Sequence, residues 1–162
     1  MARALFLVLF LSACLTDGPQ SHRSSVTGVS GLASRTLIVS THPHHVIYGR
    51  VILVDGTSSS RFALQFARAF DGVHFGLKIH SVWSSGQKLA FETAQQGSPF
   101  CRGVDCNSEL LGTLIFSEQE FTTFSKIGLS ARIIGPEVAI DVTVPAHLFR
   151  ETKDIAAARQ FR

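Results

Sequence analysis

Charge is scarce in this sequence, and it is nearly balanced. Charged residues make up 17% of the 162 positions, and the formal net charge is +3. The basic residues are scattered rather than clustered, which argues against a nucleic-acid partner. Tryptophan and tyrosine occur once each, as Trp83 and Tyr48. No apolar run approaches the ~20 residues that a membrane-spanning helix needs. No Gly-x-Ser-x-Gly elbow is present, and the glycines fall at turns rather than in a phosphate-cradling loop before a helix. The acidic residues are spread along the chain, so no carboxylate pair stands out for glycoside hydrolysis. These absences weigh against an enzyme, and no motif calls for a cofactor.

What is present begins at the N-terminus. One positive charge, Arg3, precedes an apolar run from Ala4 to Leu11, and small residues follow. That is the pattern of an export signal, too short to span a bilayer. The run closes on Leu11-Ser12-Ala13-Cys14, which resembles the lipobox of bacterial lipoprotein signals. The resemblance covers about ten residues and leaves the following domain unassigned. It implies removal of residues 1–13 and attachment of a diacylglyceryl group to Cys14. It also implies a chain anchored in the bacterial cell envelope and facing the periplasm. Leu15, rather than Asp, follows the cysteine, which leans toward the outer membrane. Two or more acyl chains, at ~0.8 kcal/mol per buried CH₂, hold a protein on a membrane where one does not. Residues 14–45, polar and rich in Ser and Gly near their start, read as the lipidated cysteine and its flexible tether.

Lipidation would use one of the three cysteines and leave Cys101 and Cys106, with four residues between them, Gly103 among these. Disulfides persist in the periplasm, so this pair is expected to be a small disulfide loop. No second cysteine or histidine pair at suitable spacing completes a zinc site with it.

Residues 46–162 read as one domain, with 45% hydrophobic residues and 13 phenylalanines in the whole chain available for a core. The expected fold is α+β: a mostly antiparallel sheet of about six or seven strands with one inserted helix and a short C-terminal helix. A β-sandwich with a helical insertion is the alternative. Val46 to Val54 is apolar and β-branched and should be a strand. Arg61 to Phe70 fits a helix, through Phe62, Phe66 and Phe70, or a strand, through the alternation of Phe62, Leu64, Phe66, Arg68 and Phe70. Asp71-Gly72 favours a type I′ hairpin turn. That turn would pair Phe66 with Leu77 and Leu64 with Ile79. Further on, Ser117-Glu118-Gln119-Glu120 matches a capping box before a helix that Gly128 should end. Strands are expected over Leu129–Ile134 and Val138–Val144, and Pro145 should open a helix to Arg159. Trp83 is expected to plug one end of the core.

The remaining cluster is His42-Pro43-His44-His45. Imidazole binds zinc, copper or nickel well, and His42, His44 and His45 are the candidate metal ligands. The plainer reading is a polar stretch leading into the first strand. The sequence thus supports first a non-catalytic envelope lipoprotein with a structural or partner-binding role. A periplasmic small-ligand or metal-binding protein comes second, and an envelope hydrolase last. The lipobox reading predicts a definite intact mass for protein purified from native membranes. The chain should begin at acylated Cys14 and gain two hydrogens on reduction. A species retaining Met1 would remove the anchor.

Overall fold

The computed structural model describes residues 20–23, 30–42, 45–55, 60–69, 77–95 and 108–160. In chain order the strands begin with β1 (Gln20–Arg23), β2 (Ser30–Ala33), β3 (Leu37–His42), β4 (His45–Asp55) and β5 (Ser60–Ala69). They continue with β6 (Ser81–Ser84), β7 (Gln87–Lys88), β8 (Phe91–Thr93) and β9 (Ser108–Phe116). Helix α1 (Glu118–Ile127) follows, then β10 (Leu129–Ile134), β11 (Ala139–Val144) and helix α2 (Ala146–Gln160). The strands form two antiparallel sheets rather than the expected one. The larger has seven strands in the order β1-β2-β4-β5-β9-β8, with β3 also on β4. The smaller has four, in the order β11-β10-β6-β7.

Strand β4 is the longest, and its alternation is unbroken. Ile47, Gly49, Val51 and Leu53 are buried, while Val46, Tyr48, Arg50, Ile52 and Val54 are half-buried. This is the period of two that a strand with one core face requires. One edge of β4 pairs with β2 over Ile52–Asp55 and with β3 over His45–Gly49. Ser34 bridges the gap between them. Its N–H donates to the Val51 carbonyl at 2.8 Å, and its hydroxyl oxygen accepts from the Val51 N–H at 3.0 Å. Residues 20–42, read from the sequence as part of a tether, therefore contribute three strands to the sheet. β-branched Ile38, Val39 and Thr41 were the local signal for the third.

The hairpin expected around Asp71-Gly72 does not form as drawn. Arg61 to Ala69 is indeed a strand, not a helix, but its neighbours are β4 and β9. Leu64 faces Val51 and Leu114, and Phe66 faces Gly49 and Gly112. Both edges of β5 are thus taken, leaving none for Leu77 or Ile79. Residues 70–76, which hold the expected turn, lie outside the described residues. Downstream, β6 joins the smaller sheet and pairs with β10 and β7. The chain returns to the larger sheet through Leu89 and Ala90. The Leu89 N–H donates to Val82 in one sheet, and Ala90 accepts from Ile115 in the other, both at 2.9 Å.

Both sheets and both helices share one core. Val51, Leu64, Phe66 and Leu114 from the larger sheet pack with Val82, Ile133, Ile140 and Val142 from the smaller. Phe121 of α1 and Leu148 and Phe149 of α2 complete it. Phenylalanines concentrate under the helices: Phe62 stacks on Phe121 at 4.0 Å, and Phe116 meets Phe124 edge-on at 5.3 Å. Such pairs add about 0.5–1.5 kcal/mol each beyond the area they bury.

The helix signals act as expected. The Glu120 N–H donates to the Ser117 hydroxyl oxygen at 3.2 Å, and the Ser117 N–H donates to the Glu120 carboxylate at 2.8 Å. This reciprocal cap is worth roughly 1 kcal/mol. Gly128 ends α1 with φ 78°, a left-handed conformation that glycine adopts without penalty. The smaller sheet also follows the sequence pattern, with Ile140, Val142 and Val144 buried and Ala139, Asp141 and Thr143 exposed.

Gly112 is the most tightly packed glycine among the described residues. A Cβ there would stand 2.6 Å from the Glu92 carbonyl oxygen and would strike the Phe91 ring. Gly112→Ala is expected to destabilise the domain by about 1–3 kcal/mol, the usual cost of overpacking. Urea unfolding of the two proteins measures it, and equal midpoints would contradict this packing.

Candidate functional site

The inner face of the larger sheet changes character along its length. At the end nearest α1 it is lined by phenylalanine, and at the other end by polar groups. Ile47 of β4 faces Arg68 of β5, which faces Glu109 of β9. The Arg68 Nε donates to a Glu109 carboxylate oxygen at 2.7 Å, with the two side chains only 6% and 9% exposed. A β-bulge creates this meeting. Phe66 pairs with Gly112 but Ala67 pairs with Leu110, so Leu111 is the extra residue. Without it Glu109 would fall opposite Ala69, on the other face. Leu111 is itself buried.

Two residues before Ile47, about 7 Å along the strand, comes His45. It sits directly opposite His42 across the β3–β4 pair. Their rings are 5.6 Å apart and inclined by 18°. The structure therefore brings two of the three expected metal ligands together and leaves them half-buried. His44 lies outside the described residues, as do Cys14, Cys101 and Cys106. Among the described residues, no group of three His, Cys, Asp or Glu side chains is placed to hold a metal ion. Several serine hydroxyls serve the backbone: Ser34 donates to Arg35, Ser84 to Ser130 and Ser125 to Thr122.

The outer face of the same sheet is shaped differently. Strand β5 presents Ala63, Gln65 and Ala67 there, each between two larger neighbours. Ala63 lies between Ile52 and Ile115, Gln65 between Arg50 and Thr113, and Ala67 between Tyr48 and Leu110. The two alanines are buried between larger, half-buried neighbours. At the centre of this face Arg50 donates to the Gln65 side-chain oxygen at 2.8 Å. Ile38, opposite Tyr48, is 48% exposed beside it. Among the described residues, both helices and the smaller sheet lie on the inner side.

Trp83 corrects an expectation. It does not plug the core but lies on the outward face of the smaller sheet, 39% exposed, between Lys88 and Arg132 on the adjacent strands. Its indole N–H donates to the Ser81 hydroxyl at 3.0 Å. The odd position belongs outside because Val82, next to it, takes the core. Arg132 pairs with Asp141 through two hydrogen bonds of 2.7 and 2.9 Å. Those bonds hold the Asp141 carboxyl below its ordinary range and raise the Arg132 guanidinium. The pair's contribution to stability is present at neutral pH and fades as acid titrates Asp141. It is small, since both groups are exposed to water.

No protein-family model matches the chain, and no curated protein or solved structure matches it significantly. No described helix is long and apolar enough to cross a membrane.

The buried ion pair was the residue set that sequence reasoning passed over. Arg68 had interrupted an otherwise apolar alternation, which was the available signal. Arg68→Met alone should destabilise the domain by about 3–5 kcal/mol, because Glu109 would be left buried without its cation. Adding Glu109→Leu should recover most of that loss. Urea unfolding of the three proteins provides the check, and a double variant no better than the single would contradict it.

Proposed function

We propose that this chain is a non-catalytic lipoprotein of the bacterial envelope whose domain binds a protein partner at the membrane surface. Cys14 carries the lipid, Cys101 and Cys106 form a disulfide, and the domain faces the periplasm, with Leu15 favouring the outer membrane. The fold is read as α+β rather than as a sandwich with an insertion, because α1 and α2 both supply core side chains.

The observation that carries the binding role is the half-buried, largely apolar patch on the outer face of β4, β5 and β9. Half-buried Tyr48, Ile52, Leu110 and Ile115 flank Ala63 and Ala67, with one polar row, Arg50, Gln65 and Thr113, across the middle. A sheet face with apolar flanks and a central polar row resembles the make-up of protein interfaces, where an apolar centre is oriented by a few hydrogen bonds. Charge is sparse there, which disfavours a nucleic-acid partner.

The test places a photo-crosslinking amino acid at Ile52 or Ile115 in the full chain and irradiates intact cells. Both positions should give the same protein adduct, and Cys14→Ala should reduce its yield several-fold. A probe at Ser130, on the outward face of the smaller sheet, should not give it. Adducts equal at all three positions, or none at Ile52 and Ile115, would overturn the reading.

A further inference from the structure

We propose that His42 and His45 form a chelating site for a borderline divalent cation of the copper or zinc class. The two residues are register partners at the tip of the β3–β4 pair, so their side chains leave the same face of the sheet. Directly opposite residues hold their Cβ atoms ~4.5–5.5 Å apart, a span that two imidazoles can close on one ion. Nitrogens bound at ~2.0–2.1 Å would put the two ring centres ~5 Å apart. The observed separation is 5.6 Å, close to that span, and the stacked rings must rotate about their own side-chain bonds to turn a nitrogen each toward a shared ion.

The surroundings agree. Both histidines are half-buried, which gives an ion access while limiting the freedom of the rings. The nearest inward row is Ile47, Arg68 and Glu109, where the Arg68 cation is balanced by the Glu109 carboxylate. The field at the pair is therefore not set by a bare positive charge. Two protein ligands leave coordination positions open to water, so the site takes an exchangeable ion rather than a structural one. Copper(II) is the sensitive probe, because it heads the affinity order for nitrogen ligands. The proposal needs neither the lipid nor the protein partner.

The experiment titrates Cu²⁺ into the full chain, following affinity by calorimetry and the bound nitrogens by electron paramagnetic resonance. The intact protein should bind one exchangeable ion with the splitting of two nitrogens. His42→Thr and His45→Thr, which keep strand-favouring residues at both positions, should each weaken binding at least tenfold and remove one nitrogen. His80→Ala, at an exposed position outside β3 and β4, should change neither readout. The proposal is overturned if the double His42→Thr/His45→Thr variant keeps the same affinity and splitting. It is equally overturned if the intact protein shows one bound nitrogen or none.

Discussion

Arg68 is held inside this protein by a carboxylate delivered to the strand position beside it. A buried guanidinium without a counter-charge is among the costliest groups a core can hold. The extra residue at Leu111 supplies the answer by turning Glu109 inward, while Gly112, Leu114 and Phe116 keep their inward phase beyond the bulge. Strand β9 therefore carries two registers, one for the ion pair and one for the apolar core. The order β4-β5-β9 is bound up with it, since only in that order do Ile47, Arg68 and Glu109 form one row.

That row divides the inner face by chemistry. Toward α1 the core is aromatic, with Phe62, Phe116, Phe121, Phe124 and Phe149 in mutual contact. Toward the β3–β4 tip it is ionic and then imidazole. Packing density and helix caps stabilise the first region. Specific pairing stabilises the second, where geometry tolerates less substitution. The outer face has neither character. Its small central residues, Ala63 and Ala67, are buried between larger half-buried ones.

The sequence revealed most where one residue's environment was decided locally. The capping box at Ser117 and Glu120, the stop at Gly128 and the alternation from Ile140 to Val144 all depend on neighbours within a few positions, and all were legible. Pairing was not. Leu64 and Phe66 mark a strand, yet nothing near them says that the partner is Leu114 rather than Ile79. The turn expected at Asp71-Gly72 made the nearer partner attractive, but β4 and β9 take both edges of β5. Burial on both faces of β5 was hidden in the same way, because Ala63 and Ala67 look neutral until Ile52, Ile115, Tyr48 and Leu110 surround them. At the candidate site, the closeness of His42 and His45 in sequence hinted at their meeting. Arg68 and Glu109 gave half a signal each, and the bulge that joins them was silent.

The contacts of α2 with the first strands bear on how the chain reaches its fold. The Thr152 hydroxyl donates to the Val51 carbonyl at 3.5 Å, and Glu151 accepts from Arg35 at 3.1 Å, each across more than a hundred residues. Contacts this distant along the chain are slow to close, because the loop entropy is spent before they contribute. The hairpins β3–β4, β4–β5 and β10–β11 can form early from nearby residues. The inner face of the larger sheet cannot be sealed until Leu148 and Phe149 arrive. A nascent chain thus carries an open apolar surface until α2 has been made, and it must be kept from self-association over that interval.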